Sequence, residues 1–268
     1  MPDFQYQDTK AYCAVSGAGE TVVMLHAGAS SGAQWRKVGG DLEDRYRLLA
    51  PDLFGFGKTD PWRGTTELSH DHNAALVHAI VEAEGAGPVH LVGHSYGGAT
   101  AIRFVLAHPA LVRRLVLIEP VATTLLQRDG QGAIFEEYRS MAETFMRHVS
   151  VGDEEAAWRF FIDYRNGSGT WDTLPDAARK RFHAGTVNTV TGLVANLSNP
   201  TTLRDCRSIA APTLIICGQE TTEPDRRVTE ILHREIPNSE YMVIAGADHM
   251  SPMSHPAEIA AAIASHLG

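Results

Sequence analysis

The sequence predicts an α/β fold: a mostly parallel central sheet with helices on both faces, interrupted once by an all-helical insertion. Three observations carry that expectation. Near-continuous apolar runs alternate with segments of helical periodicity, the pattern of parallel strands covered on both faces. One long stretch, residues 121–206, contains helical patterns and no strand pattern. The chain has 268 residues, 44% hydrophobic and 21% charged, enough for one large domain with a full core. The expected division is a core of residues 1–120 and 207–268, with residues 121–206 as a lid. Such a lid would lie over the carboxyl ends of the strands, where open α/β sheets place their sites.

The elements follow in order. "FQYQDTKAYCAVSG" alternates as an edge hairpin does, and "TVVMLHAG" (21–28) reads as a buried strand followed by a helix near 31–43. "YRLLAPDL" (46–53) is the next strand, and "DLFGFGKTD" continues it as a Gly-rich loop. A helix over about 66–84 ends at the breakers Gly85 and Gly87. Strand "PVHLVGHS", helix "YGGATAIRFVLAHP" and strand "RRLVLIEP" come next. The insertion has helical segments near 131–149, 153–164 and 175–196, with "NGSGTWDTLP" (166–175) as a loop. Alternation then resumes with "APTLIICG", a helix at 224–236, "SEYMVIAG" and a final helix from 256.

Composition excludes several classes. Thirty-two acidic against 23 basic side chains give a net charge of −9, which argues against a nucleic-acid partner. Cys13, Cys206 and Cys217 are odd in number and lack metal-like spacing, so neither a disulfide framework nor a thiolate metal site is expected. Cys217, inside an apolar run, is expected to pack as a small hydrophobe. The start "MPDFQYQDTK" lacks the basic-then-apolar order of a signal peptide. No run reaches the roughly 18 apolar residues of a membrane span. The expectation is a cytoplasmic monomer or homodimer that takes a small-molecule substrate, without nucleic acid, membrane, metal or cofactor. "FGFGKT" misses a phosphate-binding loop because Asp52 stands where glycine is required, and "GAG" at 17–19 precedes its strand instead of following it. "HDH" at 70–72 has no third metal ligand in view and reads as a solvated helix start.

The chemistry centres on "LVGHSYGGAT". Gly93, Ser95 and Gly97 form G-x-S-x-G between a strand and a helix. A sharp strand-to-helix turn strains the serine backbone, and small residues on either side let strand and helix approach. The hydroxyl then projects above a helix N-terminus, which favours developing negative charge.

With "LHAG", "APDLFGFGKT", "GHSYGG" and "GADHM" in place, the chain resembles the α/β-hydrolases over nearly its whole length. The resemblance implies Ser95 as nucleophile and His249 as its base, an imidazole being what a weakly nucleophilic hydroxyl requires. It implies an oxyanion hole from the amides of Gly28 and Tyr96; Ala27 stands where the family usually has glycine, which leaves open which amide of 27–29 points inward. The family usually places its acid three residues after the glycine ending the next-to-last strand. That glycine is Gly218, and the position holds Thr221. The acid is therefore expected at Glu119, at the end of "RRLVLIEP", with Glu220, Glu223 or Asp225 as the alternative. An acid after this strand is similar to that of certain haloalkane dehalogenases and of fungal lactonases that open zearalenone.

The activity expected is that of a cofactor-independent serine hydrolase acting on an ester or lactone of a hydrophobic small molecule through an acyl-enzyme. Hydrolysis of a C–C bond beside a ketone is the enzymatic alternative, and a hydrolase-like binding protein with little turnover is the alternative from another class. His26, Phe135, Trp158, Trp171 and Met250 are the candidate substrate contacts, with Met141, Phe145 and Phe161 as further candidates for an apolar wall.

Overall fold

A computed structural model describes residues 3–268. Eight strands form one sheet in the order β1-β2-β4-β3-β5-β6-β7-β8. They are β1 (Asp3–Tyr6), β2 (Thr9–Ser16), β3 (Glu20–Leu25), β4 (Tyr46–Pro51), β5 (Val89–His94), β6 (Val112–Ile118), β7 (Thr213–Gly218) and β8 (Ser239–Ile244). The hairpin β1–β2 and the pair β2–β4 are antiparallel, and the other pairings are parallel. Every residue of β5 and of β7 is buried, which explains their unbroken apolar runs.

The core helices are α1 (Arg36–Gly40), α2 (His70–Ala83), α3 (Tyr96–Ala107), α11 (Glu223–Glu235), α12 (Ser251–Ser254) and α13 (Pro256–Leu267). Between β6 and β7 lie only helices: α4 (Thr124–Arg128), α5 (Gly132–Ser150), α6 (Glu154–Asn166), α7 (Thr170–Thr173), α8 (Asp176–Ala184), α9 (Thr186–Leu197) and α10 (Leu203–Ser208). Two apolar clusters cover the two faces of the sheet, and a third, built on Phe145, Trp158 and Trp171, belongs to the insertion itself.

Several expected boundaries shift for physical reasons. The strand read as 21–28 stops at Leu25, because the chain leaves the sheet through a loop with Ala29 in the left-handed region (φ 56). The helix expected near 31–43 shrinks to a 3₁₀ turn, Gly32–Trp35, and the short α1. Gly32 is pressed on β4 so closely that a Cβ there would fall 2.4 Å from the Ala50 carbonyl oxygen. The single helix expected at 175–196 is two, broken at Gly185, and the loop expected at 166–175 contains α7. Nor is "HDH" a solvated helix start. His70 is buried, bonding Thr100 Oγ1 and Asn196 Oδ1 at 3.0 Å each, and burial pushes its pKa down to about 4. His72 instead completes a capping box with Ser69 and stacks on Trp62. Among the described residues no helix is long and apolar enough to cross a membrane.

Candidate active site

The turn from β5 to α3 holds Ser95 at φ 54, ψ −115, a strained conformation for a residue with a Cβ. Its flanking glycines are sterically required. A Cβ on Gly93 would lie 2.6 Å from the Gly97 carbonyl oxygen, and one on Gly97 would lie 2.4 Å from that of Leu25. The Ser95 hydroxyl sits 2.9 Å from His249 Nε2, the ring being delivered by the loop after β8.

On the other side of that ring, Nδ1 lies 2.7 Å from Glu119 Oε2. Glu119 follows β6 directly and also has a left-handed backbone (φ 41), which turns its side chain toward the ends of β5 and β7. The carboxylate is fully buried and satisfied. Oε1 accepts the Gly218 amide at 2.5 Å, and Oε2 accepts the Thr221 hydroxyl at 2.7 Å. Thr221, standing where the family acid was expected, thus serves the carboxylate from the neighbouring strand.

The alternative acids are placed differently. Glu223 pairs with Arg226 and Arg227 along α11, and Glu220 is exposed. Asp225 is fully buried with Oδ2 3.5 Å from His249 Nδ1, but it is bound by Arg165 and by the Thr222 hydroxyl. Asp248 accepts the Met250 amide and the Asn166 side chain. Glu119, Asp225 and His249 form the one carboxylate–imidazole group among the described residues compact enough for a metal ion. The Arg165 guanidinium already supplies positive charge to it.

Thr221→Val tests the support of Glu119. A hydrogen bond to a charged group is worth about 1.5–3 kcal/mol, so kcat should fall by about ten- to a hundredfold with KM little changed. Steady-state kinetics check this; an unaltered kcat would mean that the hydroxyl does not hold the carboxylate in place.

A buried chain of side chains stiffens the opposite wall. Gln34 Oε1 accepts the Ala27 amide (3.1 Å), the Gln34 side-chain amide meets His94 Nδ1 (3.0 Å), and His94 Nε2 meets the His249 carbonyl oxygen (2.8 Å). Burial, then the neighbouring His249, holds the His94 pKa well below the usual imidazole range. The neutral ring donates from Nε2 to that carbonyl and accepts from Gln34 at Nδ1. The Ala27 amide is therefore engaged and turned away from Ser95. The Tyr96 amide opens α3 and has no partner within the helix, and a Cβ on Gly28 would lie 3.7 Å from the Tyr96 side chain. Gln34 carries no sequence signal for this role.

Between the insertion and the elbow lies a cavity of about 1050 Å³, lined by Ser95, His249, Gly28 and Tyr96 together with Phe56, Tyr138, Phe161, Leu174 and Met250, among others. Of the side chains expected at an apolar wall, Phe161 and Met250 are there. The others are not. Trp158 and Trp171 are fully buried in the insertion, donating to Thr186 Oγ1 and Glu155 Oε1, and Phe145 and Met141 are buried too. Phe135 packs on the main core. His26 lies beneath the loop, where Nε2 accepts the Leu53 amide and Nδ1 lies 2.7 Å from the Ala27 carbonyl oxygen. A small helical insertion needs its largest apolar groups for its own core, and they have no surface left for a ligand.

The charges of the lining are unequal. Arg36, Arg165 and Arg181 line it against the acid Asp248. Arg36 and Arg181 are exposed and make no ion pair among the described residues.

The sequence pattern of the alpha/beta hydrolase fold matches residues 20–256. The chain is 26% identical over 266 residues to the 2-hydroxymuconate semialdehyde hydrolase of a Pseudomonas species, covering 94% of this chain and 88% of that one. It is 31% identical over 214 residues to the 2-hydroxy-6-oxo-2,4-heptadienoate hydrolase of Pseudomonas putida, covering 76% and 73%. Among solved structures, an esterase from Exiguobacterium antarcticum superposes with a TM-score of 0.79 at 22% identity, covering 98% of both chains.

Proposed function

This chain belongs to the α/β-hydrolase fold family and is a hydrolase, and from that premise we propose that it breaks a carbon–carbon bond beside a ketone in a small anionic substrate. The sequence led first to ester or lactone cleavage. What shifts the balance is the similarity to hydrolases named for hydroxy-oxo-dienoates. A compound of that class carries a ketone and a carboxylate but no ester, so its hydrolysis has to break a C–C bond. The unpaired Arg36 and Arg181 at the cavity suit its carboxylate.

In this reading His249 Nε2 takes the Ser95 proton as Oγ attacks the ketone carbon, and the amides of Gly28 and Tyr96 hold the oxyanion. Before the attack the 2-hydroxyl proton of the dienol has to pass to the carbon beside the ketone. Collapse then breaks the bond at a saturated carbon and expels a dienolate conjugated to the new 2-oxo group, which takes its proton from His249. Water then attacks the acyl-enzyme with His249 again as base, releasing the acid and restoring Ser95. Glu119 keeps the proton on Nδ1, so Nε2 stays free to accept. Residues 121–206 act as the lid, and their cavity-facing side chains set specificity.

The reading is tested by kcat/KM for a hydroxy-oxo-dienoate, followed by loss of its dienolate absorbance, against p-nitrophenyl esters and lactones. Arg181→Leu should raise KM for the dienoate about tenfold or more, the worth of one charge-assisted hydrogen bond, while leaving an uncharged ester unaffected. Efficient ester or lactone turnover with an unreacted dienoate would return the assignment to the second reading. The apolar side chains of the lining, Phe56, Phe161 and Leu174, favour that one.

A further inference from the structure

Behind His249 the structure places a second carboxylate that acyl transfer does not require. Glu119 and Asp225 are both fully buried, 2.7 and 3.5 Å from the same imidazole nitrogen. Two uncompensated carboxylates at that distance would hold the ring protonated, and a protonated ring is no base. The compensating charge is Arg165, itself buried and bonded through Nη1 to Asp225 Oδ2.

The origin of each group matters. Asp225 belongs to α11 of the core, whereas Arg165 closes α6 of the insertion. The next residue, Asn166, donates to Asp248, immediately before His249. The end of α6 therefore engages two acids around the histidine loop with two consecutive side chains. Arg165 also lines the cavity and lies 5.7 Å from the ring centres of Tyr138 and Phe161. Burial works against its charge, but Asp225 first, then Tyr138, Tyr164 and Glu119, hold its pKa above the ordinary value. The other titratable group against the histidine ring is His94, 5.2 Å away between ring centres and kept neutral by burial.

We propose that Arg165 is a positioning residue which, through Asp225, makes the charge balance at His249 depend on the insertion being seated on the core. The inference rests on the catalytic reading of Ser95, His249 and Glu119. With α6 in place, Asp225 is neutralised and Nδ1 belongs to Glu119. With Arg165 withdrawn, Asp225 becomes a bare carboxylate that competes for the Nδ1 proton and favours the imidazolium. A substrate in the cavity thus meets a competent base only beneath a closed insertion.

The test is the pH dependence of kcat/KM for wild type, Arg165→Met, Asp225→Asn and the double variant, each checked for folding by thermal melting. Loss of activity on acidification reports protonation of the base, and removing Arg165 strengthens the negative field. Arg165→Met should therefore move the acidic limb up by about one to three pH units, the usual effect of a carboxylate at this range. Asp225→Asn leaves a bare guanidinium and should move the limb down. The double variant should return it to within about half a unit of wild type. A pair that merely braces the fold would lower activity in all three without opposite shifts. Limbs unmoved, or moved in one direction by both single variants, would overturn the proposal. Should Arg165→Met fail to fold, a downward shift in Asp225→Asn that the double variant reverses still supports it, and an unmoved limb still refutes it. Ser95→Ala, measured in parallel, separates the two levels: if it is inactive while the limbs stay put, this inference alone falls.

Discussion

Glu119→Gln is expected to lower kcat about 10⁴-fold with the melting temperature little changed, the cost of presenting the wrong imidazole tautomer. The geometry explains the size of the effect. Glu119 accepts from the Gly218 amide, the Thr221 hydroxyl and His249 Nδ1. A glutamine has one acceptor oxygen, which the Gly218 amide would claim. Its NH₂ group would then face Nδ1, which has to accept, so the ring proton moves to Nε2 and points at Ser95. The base is lost although every side chain stays in place. Steady-state kinetics of the purified variant read this directly. A kcat within tenfold of wild type would move the acid to Asp225, 3.5 Å from the same nitrogen.

Ser95→Ala should cost more, about 10⁶-fold in kcat, the scale seen when a nucleophile is removed from a working triad. Alanine retains the Cβ and the strained elbow, so the fold should persist and a substrate should still bind. The loss is the single atom that lies 2.9 Å from Nε2. Labelling of wild type by a fluorophosphonate, absent in Ser95→Ala, distinguishes an acylating enzyme from a hydrolase-like binder. If wild type is not labelled and shows no turnover, the enzyme reading of this site fails.

The two residues differ in how far the sequence reveals them. Ser95 is legible because its elbow has a local spacing: Gly93 is needed by contacts within the turn, and Gly97, two residues past the serine, is needed by the close approach of Leu25 and His26. His249 is legible by its place after the last strand. Glu119 was one of two candidate positions, because a threonine at 221 says only that the usual carboxylate is missing. The large aromatic groups of the insertion misled for a related reason. Hydrophobicity predicts that Trp158 and Trp171 are buried but not against which partner, and they pack on one another's neighbours in the insertion's own core. Gln34 and Arg165 carried no signal at all, since their roles depend on contacts to His94 and Asp225, each 60 positions away along the chain.

The sequence by itself determined the order of strands and helices, the helical insertion and the strained serine turn. These depend on periodicity and on a glycine spacing that can be read within a few residues. Only the tertiary structure decided which carboxylate reaches His249, that Thr221 supports it, and that an arginine from the insertion offsets a second one. Those contacts arise where the ends of β5, β6 and β7 and the end of α6 converge. Charges brought together from residues 119, 165, 225 and 249 act through distance and burial, which no local pattern encodes.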